Sequence, residues 1–349
     1  LRPTAGASAA TCTYAAEVTQ GSMTDSFGRA STDLRVSLTD RCNLRCTYCM
    51  PADGPGWLPS PHLLSDDEVS SLVRLAVERL GVTEVRFTGG EPLLRPGLEQ
   101  IIAATSRLPH RPRISLTTNG IGLATRAAAL KDAGLDRINI SLDTLDADTF
   151  RQLARRDRLD DVLEGITAAR DAGLTPVKLN AVLMRGINDH EAPKLLQFAL
   201  DNGLSLRFIE QMPLDPMGVW NRETMVTANE ILSSLQLHWD LTAVDRGDDS
   251  DPAALWTING GPQTVGVIAS VTRPFCNNCD RVRLTADGQV RSCLFGRDDA
   301  DLRTALRSGK SDDEIEALWR GAVSRKAAGH GINSSDFTPP DRPMSAIGG

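Results

Sequence analysis

Along most of this chain, short stretches with the hydrophobic pattern of a strand alternate with longer stretches that have the pattern of a helix. Short apolar and β-branched runs predict strands at Leu34–Leu38, Glu84–Thr88, Arg113–Thr117, Arg137–Leu142, Pro176–Leu183 and Ser205–Glu210. Longer runs with apolar residues at helical spacing lie between them, at Asp66–Leu80, Gly97–Ser106, Leu123–Ala133, Asp160–Ala172 and Glu191–Asn202. A glycine follows four of these helices at the position where a left-handed residue commonly ends a helix, namely Gly81, Gly134, Gly173 and Gly203.

Six repeats of strand then helix indicate parallel strands joined by right-handed crossovers. Six units fall short of the eight in a complete TIM barrel. The predicted fold class is therefore α/β, an open partial (β/α)6 TIM-type barrel over residues 31–245. We expect a flexible N-terminal tail over residues 1–30 and a C-terminal α+β extension over residues 246–349. Polar motifs follow the predicted strands at their carboxyl ends, where functional groups gather in such folds.

The extension has a different pattern from the barrel. Short strands are predicted at Gly266–Ser270, Arg281–Thr285 and Gln289–Arg291, and Ala286–Gly288 has the composition of a hairpin turn. Two helices are predicted at Asp299–Ser308 and Asp312–Ala322. The last segment, Asp336–Gly349, is rich in proline and glycine, and we expect it to be irregular.

Composition narrows the functional classes. The 349 residues are 41% hydrophobic, which is enough for a sizeable core, and the net charge of −7 argues against a broad nucleic-acid surface. No run of 18 or more apolar residues occurs, so we expect no membrane segment. No basic start followed by an apolar block is evident. These features, with the clustered cysteines, predict a cytoplasmic protein.

Six of the seven cysteines form two trios. Cys42, Cys46 and Cys49 are spaced C-x3-C-x2-C, and Cys276, Cys279 and Cys293 are spaced C-x2-C-x13-C. Trios favour two iron–sulfur cubanes that each leave one iron without a protein ligand, because structural zinc normally takes four Cys or His ligands. Zinc completed by His62 or His330 and disulfides remain alternatives. Cys12 is left over as an uncommitted thiol.

The chain resembles the radical S-adenosylmethionine (SAM) superfamily on three linked features. These are the first trio with Tyr48 before its last cysteine, the Gly89-Gly90-Glu91-Pro92 run on the next strand, and the partial barrel. The second trio and the terminal residues 342–349, RPMSAIGG, narrow the resemblance to the family that cyclises GTP in the first step of molybdenum cofactor biosynthesis.

The resemblance implies two [4Fe–4S] clusters and SAM as cofactors. The first trio would hold the cluster that binds and cleaves SAM, and the second would hold the guanine base at its open iron. A 5′-deoxyadenosyl radical would then remove the hydrogen at ribose C3′, and the carbon radical would attack C8. The SAM contacts implied by the family pattern are Tyr48, Gly89, Gly90, Glu91, Ser141 and Met212.

The same resemblance implies the GTP contacts and a functional tail. The GTP contacts are Arg35, Arg86, Thr117, Lys178, Arg281, Val282 and Arg283, with Arg207 a further candidate. Arg281 and Arg283 alternate around Val282, so both would face one side of a strand. Gly348 and Gly349 resemble a C-terminus that is needed for catalysis and reaches into the active site.

Partners and alternatives follow from the same comparison. The implied partners are GTP, a reductant such as flavodoxin or ferredoxin, and the downstream cyclic pyranopterin monophosphate synthase, with no nucleic acid and no membrane. A homodimer stays open. Two alternative functions remain: a radical SAM enzyme with an auxiliary cluster that acts on a peptide, and a non-catalytic metal-binding protein.

Overall fold

One large sheet organises the molecule. The computed structural model describes residues 21–215, 217–218, 220–245, 250–297, 300–340 and 342–348. Hydrogen bonds join the strands of these residues in the order β12-β11-β10-β1-β2-β3-β4-β5-β6-β9-β8-β7. Their bounds are β1 Asp33–Ser37, β2 Glu84–Thr88, β3 Arg113–Thr118, β4 Arg137–Ser141, β5 Val177–Val182, β6 Ser205–Ile209, β7 Leu241–Ala243, β8 Ala254–Ile258, β9 Thr264–Ile268, β10 Arg281–Leu284, β11 Gln289–Arg291 and β12 Ala300–Asp301.

Helices connect the strands and flank the sheet. They are α1 Asp66–Arg79, α2 Leu98–Ser106, α3 Ala127–Asp132, α4 Ala147–Ala154, α5 Leu159–Asp171, α6 Ala192–Asp201, α7 Ala228–Gln236, α8 Leu302–Arg307, α9 Asp312–Ser324 and α10 Met344–Ile347. The first begins with a capping box, in which Ser65 and Glu68 satisfy each other's backbone amides.

The predicted parallel barrel is confirmed. Strands β1 to β6 pair in parallel in chain order, each followed by helical structure before the next strand. The glycines predicted to end four helices all have positive φ, between 65° and 106°. A residue without Cβ adopts this conformation at little cost, so these four positions end their helices sharply.

The C-terminal extension continues the barrel sheet at both edges. Strand β10 pairs in parallel with β1, and β9 pairs in parallel with β6. The remaining strands are antiparallel, with β11 and β12 beyond β10 and β8 and β7 beyond β9. Because β7 ends at Ala243 and pairs with β8, the predicted division at residue 245 falls within one ladder.

Residues 21–30, which we had placed in the tail, pack against the rest of the molecule. Met23 is 1% exposed, and its amide donates to the Leu80 carbonyl oxygen over 3.2 Å. Thr24 and Ala30 form an antiparallel bridge, and Asp25 pairs with Arg29 at 2.6 Å. The tail predicted over residues 1–30 therefore differs from the structure at its C-terminal end; residues 1–20 lie outside the described residues.

Several local predictions differ from the structure. No helix was predicted at α7, and the helix predicted over Asp299–Ser308 is limited to α8, because Ala300–Asp301 form β12. Helix α4 lies where no helix was predicted; Asp146 caps its start by accepting from the Thr149 amide. The helix predicted over Leu123–Ala133 divides into a 3₁₀ turn, Leu123–Thr125, and α3. The segment expected to be irregular contains α10, which follows Pro343. In the described part of the chain, no helix is long and apolar enough to cross a bilayer.

We predict that Gly165→Ala destabilises the barrel. A Cβ at Gly165 in α5 would lie 2.5 Å from the Gly120 carbonyl oxygen, at the end of β3. Overpacking of this kind costs about 1–3 kcal/mol, so the midpoint of urea unfolding should fall. The matched control is Gly321→Ala in α9, where the nearest atom is Arg325 Nη1 at 3.6 Å. The control should gain up to about 1 kcal/mol from helix propensity. Equal midpoints for the two variants would contradict the packing argument.

Candidate active site

A cavity of about 360 Å³ is lined by both cysteine trios. Its walls come from the barrel strands, from the loops at their carboxyl ends and from β10 with the loops around it. The predicted site residues that line it are Cys42, Cys46, Tyr48, Cys49, Gly89, Gly90, Ser141, Met212, Arg35, Arg86, Thr117, Cys276, Cys279, Arg281, Arg283 and Cys293. Glu91, Lys178, Val282 and Gly348 lie outside this lining, and Gly349 lies outside the described residues.

The first trio lies half-buried in the loop that follows β1. Burial raises the pKa of all three thiols, and neighbouring thiolates add to this effect at Cys46 and Cys49. Together these causes raise the pKa to about 11 for Cys42 and to about 12 for Cys49. The Leu44 amide donates to Cys42 Sγ at 3.4 Å, and Asn119 Nδ2 lies 3.7 Å from the same sulfur. These three thiols are hard to ionise in the absence of a metal. Coordination to a metal removes their protons, so the trio fits a cationic iron cluster.

The second trio has a more positive surrounding. Burial raises the pKa of Cys276. At Cys279 the burial effect is outweighed by the charges of Arg281 and Lys326, so the pKa of this thiol is lowered. All six described cysteines are free thiols, so the disulfide alternative is not seen among them.

Neither histidine considered for a zinc site is placed to act as a ligand. His330 Nε2 contacts the Ser270 carbonyl oxygen at 2.8 Å, and its Nδ1 accepts from the Ile332 amide at 3.1 Å, so both ring nitrogens are occupied. His62 is exposed and lies outside the cavity lining. Across the described residues, no group of three or more Cys, His, Asp or Glu side chains is arranged so that it could hold one metal ion. A cubane has no such requirement, since each thiolate binds a different iron.

The two glycines after β2 allow one backbone to approach another. A Cβ at Gly90 would lie 2.3 Å from the Arg41 carbonyl oxygen, and one at Gly89 would lie 2.6 Å from that of Thr39. The Gly90 amide also donates to the Thr39 carbonyl over 2.6 Å. The glycine pair therefore holds the start of the cysteine loop against the end of β2, in addition to facing the cavity.

Glu91 has a different environment from the one expected of a SAM ligand. Its carboxylate is 1% exposed and accepts from the Leu93 amide at 2.9 Å, the Thr118 hydroxyl at 2.7 Å and the Asn119 amide at 2.7 Å. Burial raises its pKa to about 7 despite these donors. In this structure Glu91 joins the end of β2 to the end of β3, and so orients Asn119 toward Cys42.

Asp143 lines the cavity, although the resemblance did not include it among the implied SAM or GTP contacts. It follows β4, and its Oδ2 accepts from the Tyr48 hydroxyl at 2.6 Å, while its Oδ1 accepts from the Val182 amide at 2.8 Å. Burial raises the pKa of Asp143 to about 6. The sequence signal was its position two residues after Ser141 at a strand end. The contact fixes Tyr48, and with it the last turn of the first cysteine loop.

Arginines of three adjacent strands lie side by side on the cavity wall. Arg35 of β1 is in register with Arg86 of β2 and with Arg283 of β10. Asp33 lies 3.8 Å from both Arg35 and Arg86. Burial, and then the charge of Arg86, lower the pKa of Arg35 well below its usual range; burial lowers that of Arg283 to about 10. The buried Nε atoms of Arg35 and Arg86 have no hydrogen-bond partner among the described residues, so this wall fits an anionic ligand.

The remaining predicted substrate contacts are placed differently from one another. Thr117 faces the cavity, whereas the hydroxyl of neighbouring Thr118 is taken by Glu91. Lys178 is partly buried beside Arg207, and burial followed by that neighbour lowers its pKa to about 8. Arg207 lines the cavity and donates to Asn139 Oδ1 at 2.8 Å. Val282 is fully buried in the hydrophobic core, so a contact with substrate through its side chain is not seen.

The C-terminal segment reaches the cavity. Met344 and Ser345 line it, and the Ser345 amide is directed at Cys49 Sγ. Arg283 donates to the Gly348 carbonyl oxygen. Upstream, Arg342 makes a bidentate ion pair with Asp287, at 2.9 and 3.0 Å. The Arg342–Asp287 pair therefore anchors the base of a segment whose last described residue contacts a cavity arginine.

We predict that Arg342→Gln loosens this segment. Loss of the bidentate pair leaves Asp287, whose side chain is 8% exposed, without its charged partner, and charge-assisted bonds are the stronger kind. Carboxypeptidase should release the terminal residues several-fold faster than from the parent protein. Arg325→Gln, just after α9, is the matched control and should be digested at the parent rate. Equal rates for all three proteins would show that the ion pair does not hold the segment.

The fold and the cysteine loops define a radical SAM protein. Residues 36–199 match the radical SAM superfamily, and residues 204–332 match the molybdenum cofactor synthesis C family. In fold, the chain is similar to Streptococcus suis SuiB bound to S-adenosylmethionine, with a TM-score of 0.56 and 15% identity, covering 85% of this chain and 69% of that one.

Curated relatives define the family more narrowly. A GTP 3′,8-cyclase of Streptomyces coelicolor is 62% identical over 328 residues, covering 93% of this chain and 96% of the relative. One of Mycolicibacterium smegmatis is 58% identical over 335 residues, covering 94% and 92%. The chain belongs to the GTP 3′,8-cyclase family.

Proposed function

We propose that this chain cyclises GTP to (8S)-3′,8-cyclo-7,8-dihydroguanosine 5′-triphosphate, the first step of molybdenum cofactor biosynthesis. The observation that carries the proposal is a single cavity lined by two cysteine trios and by in-register arginines of three strands. Membership of the cyclase family, at 62% identity to one relative, supports the same reaction.

In this proposal the first trio holds the cluster that binds SAM. When bound, the cluster supplies the electron that cleaves SAM to methionine and a 5′-deoxyadenosyl radical. Gly90, Tyr48, Ser141 and Met212 orient SAM from the cavity wall. Glu91 also joins two strand ends, because its carboxylate accepts from Leu93, Thr118 and Asn119; Oε2 accepts one of these bonds and can accept another from the ammonium of SAM.

The second trio, Cys276, Cys279 and Cys293, holds the cluster that fixes the guanine base. Arg35, Arg86, Arg281 and Arg283 bind the triphosphate, with Arg207 beside them. Phosphate oxygens satisfy the guanidinium N–H groups that lack partners in the described residues. Holding both ends of the nucleotide brings ribose C3′ and base C8 into a near-attack arrangement, which limits side reactions of the radical.

The cellular setting is part of the proposal. Each turnover needs an electron, so the chain requires a low-potential donor such as flavodoxin or ferredoxin. The product is the substrate of cyclic pyranopterin monophosphate synthase. Free thiols at all six described cysteines are compatible with a reducing cytoplasm.

An anaerobic turnover with GTP deuterated at C3′ tests the reaction. The reconstituted protein, dithionite and SAM should give a GTP isomer and 5′-deoxyadenosine that carries the deuterium, as read by mass spectrometry. 5′-Deoxyadenosine without deuterium and without GTP loss would retain the SAM chemistry and refute the substrate. No 5′-deoxyadenosine from protein with both clusters intact would refute the reaction as a whole.

We predict that Lys178 makes GTP binding sensitive to pH. Its pKa is lowered to about 8, mainly by burial, so its positive charge is present below that pH and is lost as the pH rises through it. A bound anion raises this pKa, so the loss extends above pH 8. GTP affinity should therefore fall between pH 7 and pH 9.

The matched variant is Lys178→Arg, because a guanidinium stays charged over this range. Its GTP affinity should change several-fold less between the two pH values, measured by equilibrium binding with the protein held anaerobic. SAM affinity serves as the internal control and should not distinguish the two proteins. The same fall in GTP affinity for parent and variant would assign the pH dependence to another group.

A further inference from the structure

Two buried cationic side chains donate hydrogen bonds to the loop that carries the first two cysteines of the second trio. Arg29 Nη1 donates to the Cys276 carbonyl oxygen at 2.7 Å, and Lys326 Nζ donates to the Cys279 carbonyl oxygen at 2.7 Å. Arg29 is 8% exposed and Lys326 is 3% exposed. Cationic side chains are rarely buried to this extent unless they are paired, so their position at both cysteines needs an explanation.

Arg29 belongs to the N-terminal segment, far from the loop in sequence. Its Nε pairs with Asp25 at 2.6 Å, and its two Nη atoms reach three carbonyl oxygens, those of Cys276, Ala327 and Ala328. The guanidinium therefore joins residue 276 to the segment 327–328. That segment leads into Gly329, where an added Cβ would lie 3.8 Å from Cys276 Cβ.

Lys326 comes from the other side, immediately after α9. Besides the Cys279 carbonyl, its ammonium donates to the Arg281 carbonyl at 2.9 Å. It thus spans the end of the cysteine loop and the first residue of β10. None of the ion pairs seen among the described residues includes Lys326; its ammonium donates to these two carbonyl oxygens and lies close enough to the Cys279 thiol to lower the pKa of that group.

The first cysteine loop is held in a different way. Its Cys46 carbonyl accepts from the backbone amides of Cys49 and Met50. The cation at the Cys42 carbonyl is Arg45, from the same loop, which also stacks over the Trp57 ring at 5.1 Å. A distant arginine, Arg155, donates to the carbonyl oxygens of Arg45 and Met50, but it is half-buried and neither acceptor belongs to a cysteine. The Cys276–Cys279 loop is therefore distinguished by two distant, buried cations, one at each cysteine.

Buried positive charge acts on a cluster through its redox state. Reduction adds one negative charge, and in a low-dielectric interior a nearby cation attracts that charge more strongly than the same cation would in water. Net charge and hydrogen bonding are among the factors that set iron–sulfur potentials. A pair of cations at the loop thus performs two tasks, since it fixes the loop and favours the reduced cluster.

We propose that Arg29 and Lys326 are positioning residues of the second cluster, holding the Cys276–Cys279 loop and raising the reduction potential of the cluster bound there. The proposal rests on the second trio holding a cluster, as in the proposed function, but it does not depend on GTP being the substrate. It also gives the N-terminal segment 21–30 a role in the active site.

The two residues predict different defects. Lys326→Met removes a charge, so the second cluster should be reduced only at a lower potential. Arg29→Lys keeps the charge but loses the planar fork that reaches three carbonyls, so the second cluster should release iron to a chelator several-fold faster at a potential close to that of the parent. Both are measured on the full chain, reconstituted anaerobically.

The readouts separate the clusters from each other and from turnover. The potential of the second cluster is taken by an EPR-monitored titration in a Cys42→Ala, Cys46→Ala, Cys49→Ala background. Iron retention is followed in the otherwise unchanged chain, and 5′-deoxyadenosine formed without GTP reports the first cluster, which should be unaffected. If the parent protein, with both clusters intact, gave no cyclised product, that result would count against the proposed function and not against this proposal.

Matched controls exist on the same elements. Arg320→Lys alters a second arginine that ties the N-terminal segment to α9, through the carbonyls of Gly21 and Ser22, without touching the cysteine loop. Lys310→Met removes an exposed lysine near the start of α9. Both should retain the second cluster as the parent does, at the parent potential.

Two results would overturn the proposal. One is a second cluster with parent potential in Lys326→Met and parent iron retention in Arg29→Lys. The other is parallel loss of iron from both clusters, which would reduce the two cations to general stabilisers. If Lys326→Met does not fold, Lys326→Arg replaces it. The retained charge should keep the reduction potential of the second cluster, while the altered geometry should accelerate its loss of iron. An unchanged rate of iron loss would contradict the proposal.

Discussion

The parallel pairing of β1 with β2 on one side and β10 on the other is the constraint on which the site depends. The register places Arg35 beside Arg86 and Arg283, so three guanidinium groups share one row of the sheet. Like charges in a buried row repel, and each also loses hydration. The opposite face of the same strands supplies compensation, because side chains alternate across a strand and Leu34 and Val282 are fully buried there.

One buried carboxylate moderates this repulsion without cancelling it. Asp33 is 8% exposed, and the charges of Arg35 and Arg86 hold its pKa below the usual value against the effect of burial. A second carboxylate, Asp280, lies 3.5 Å from Arg281, and these two negative charges do not balance the four arginines Arg35, Arg86, Arg281 and Arg283. The positive charge that the carboxylates leave unbalanced costs folding free energy. The same charge contributes binding free energy when an anionic ligand enters the cavity. The repulsion between the arginines of this row and their affinity for a polyphosphate thus have the same physical origin.

Periodicity in the sequence predicted the six barrel strands to within one residue at each end, and the helices α1, α2, α5 and α6 equally well, because each of these elements buries a local apolar pattern. It did not predict α4 or α7, and it placed the start of α3 four residues too early. The pairing of β10 with β1 and of β9 with β6 could not be predicted in this way, since an apolar strand does not specify its partner. Motif resemblance implied the cysteines, and most of the other residues that it implied line the cavity. It did not include the contact of Asp143 with Tyr48, which belongs to no motif, or the bonds of Glu91 to Thr118 and Asn119, which depend on the neighbouring strand end.

The C-terminal segment contacts Arg283, one of the arginines that we propose bind the triphosphate. Arg283 donates to the neutral Gly348 carbonyl, whereas a phosphate oxygen would offer the same guanidinium a charge-assisted bond of roughly twice the strength. Substrate can therefore displace the carbonyl from Arg283. The Arg342–Asp287 pair lies upstream of this contact and is independent of it, so a displaced tail stays tethered at the cavity. A contact weak enough to exchange, on a segment held firmly at its base, lets the tail and the nucleotide occupy the same site in turn.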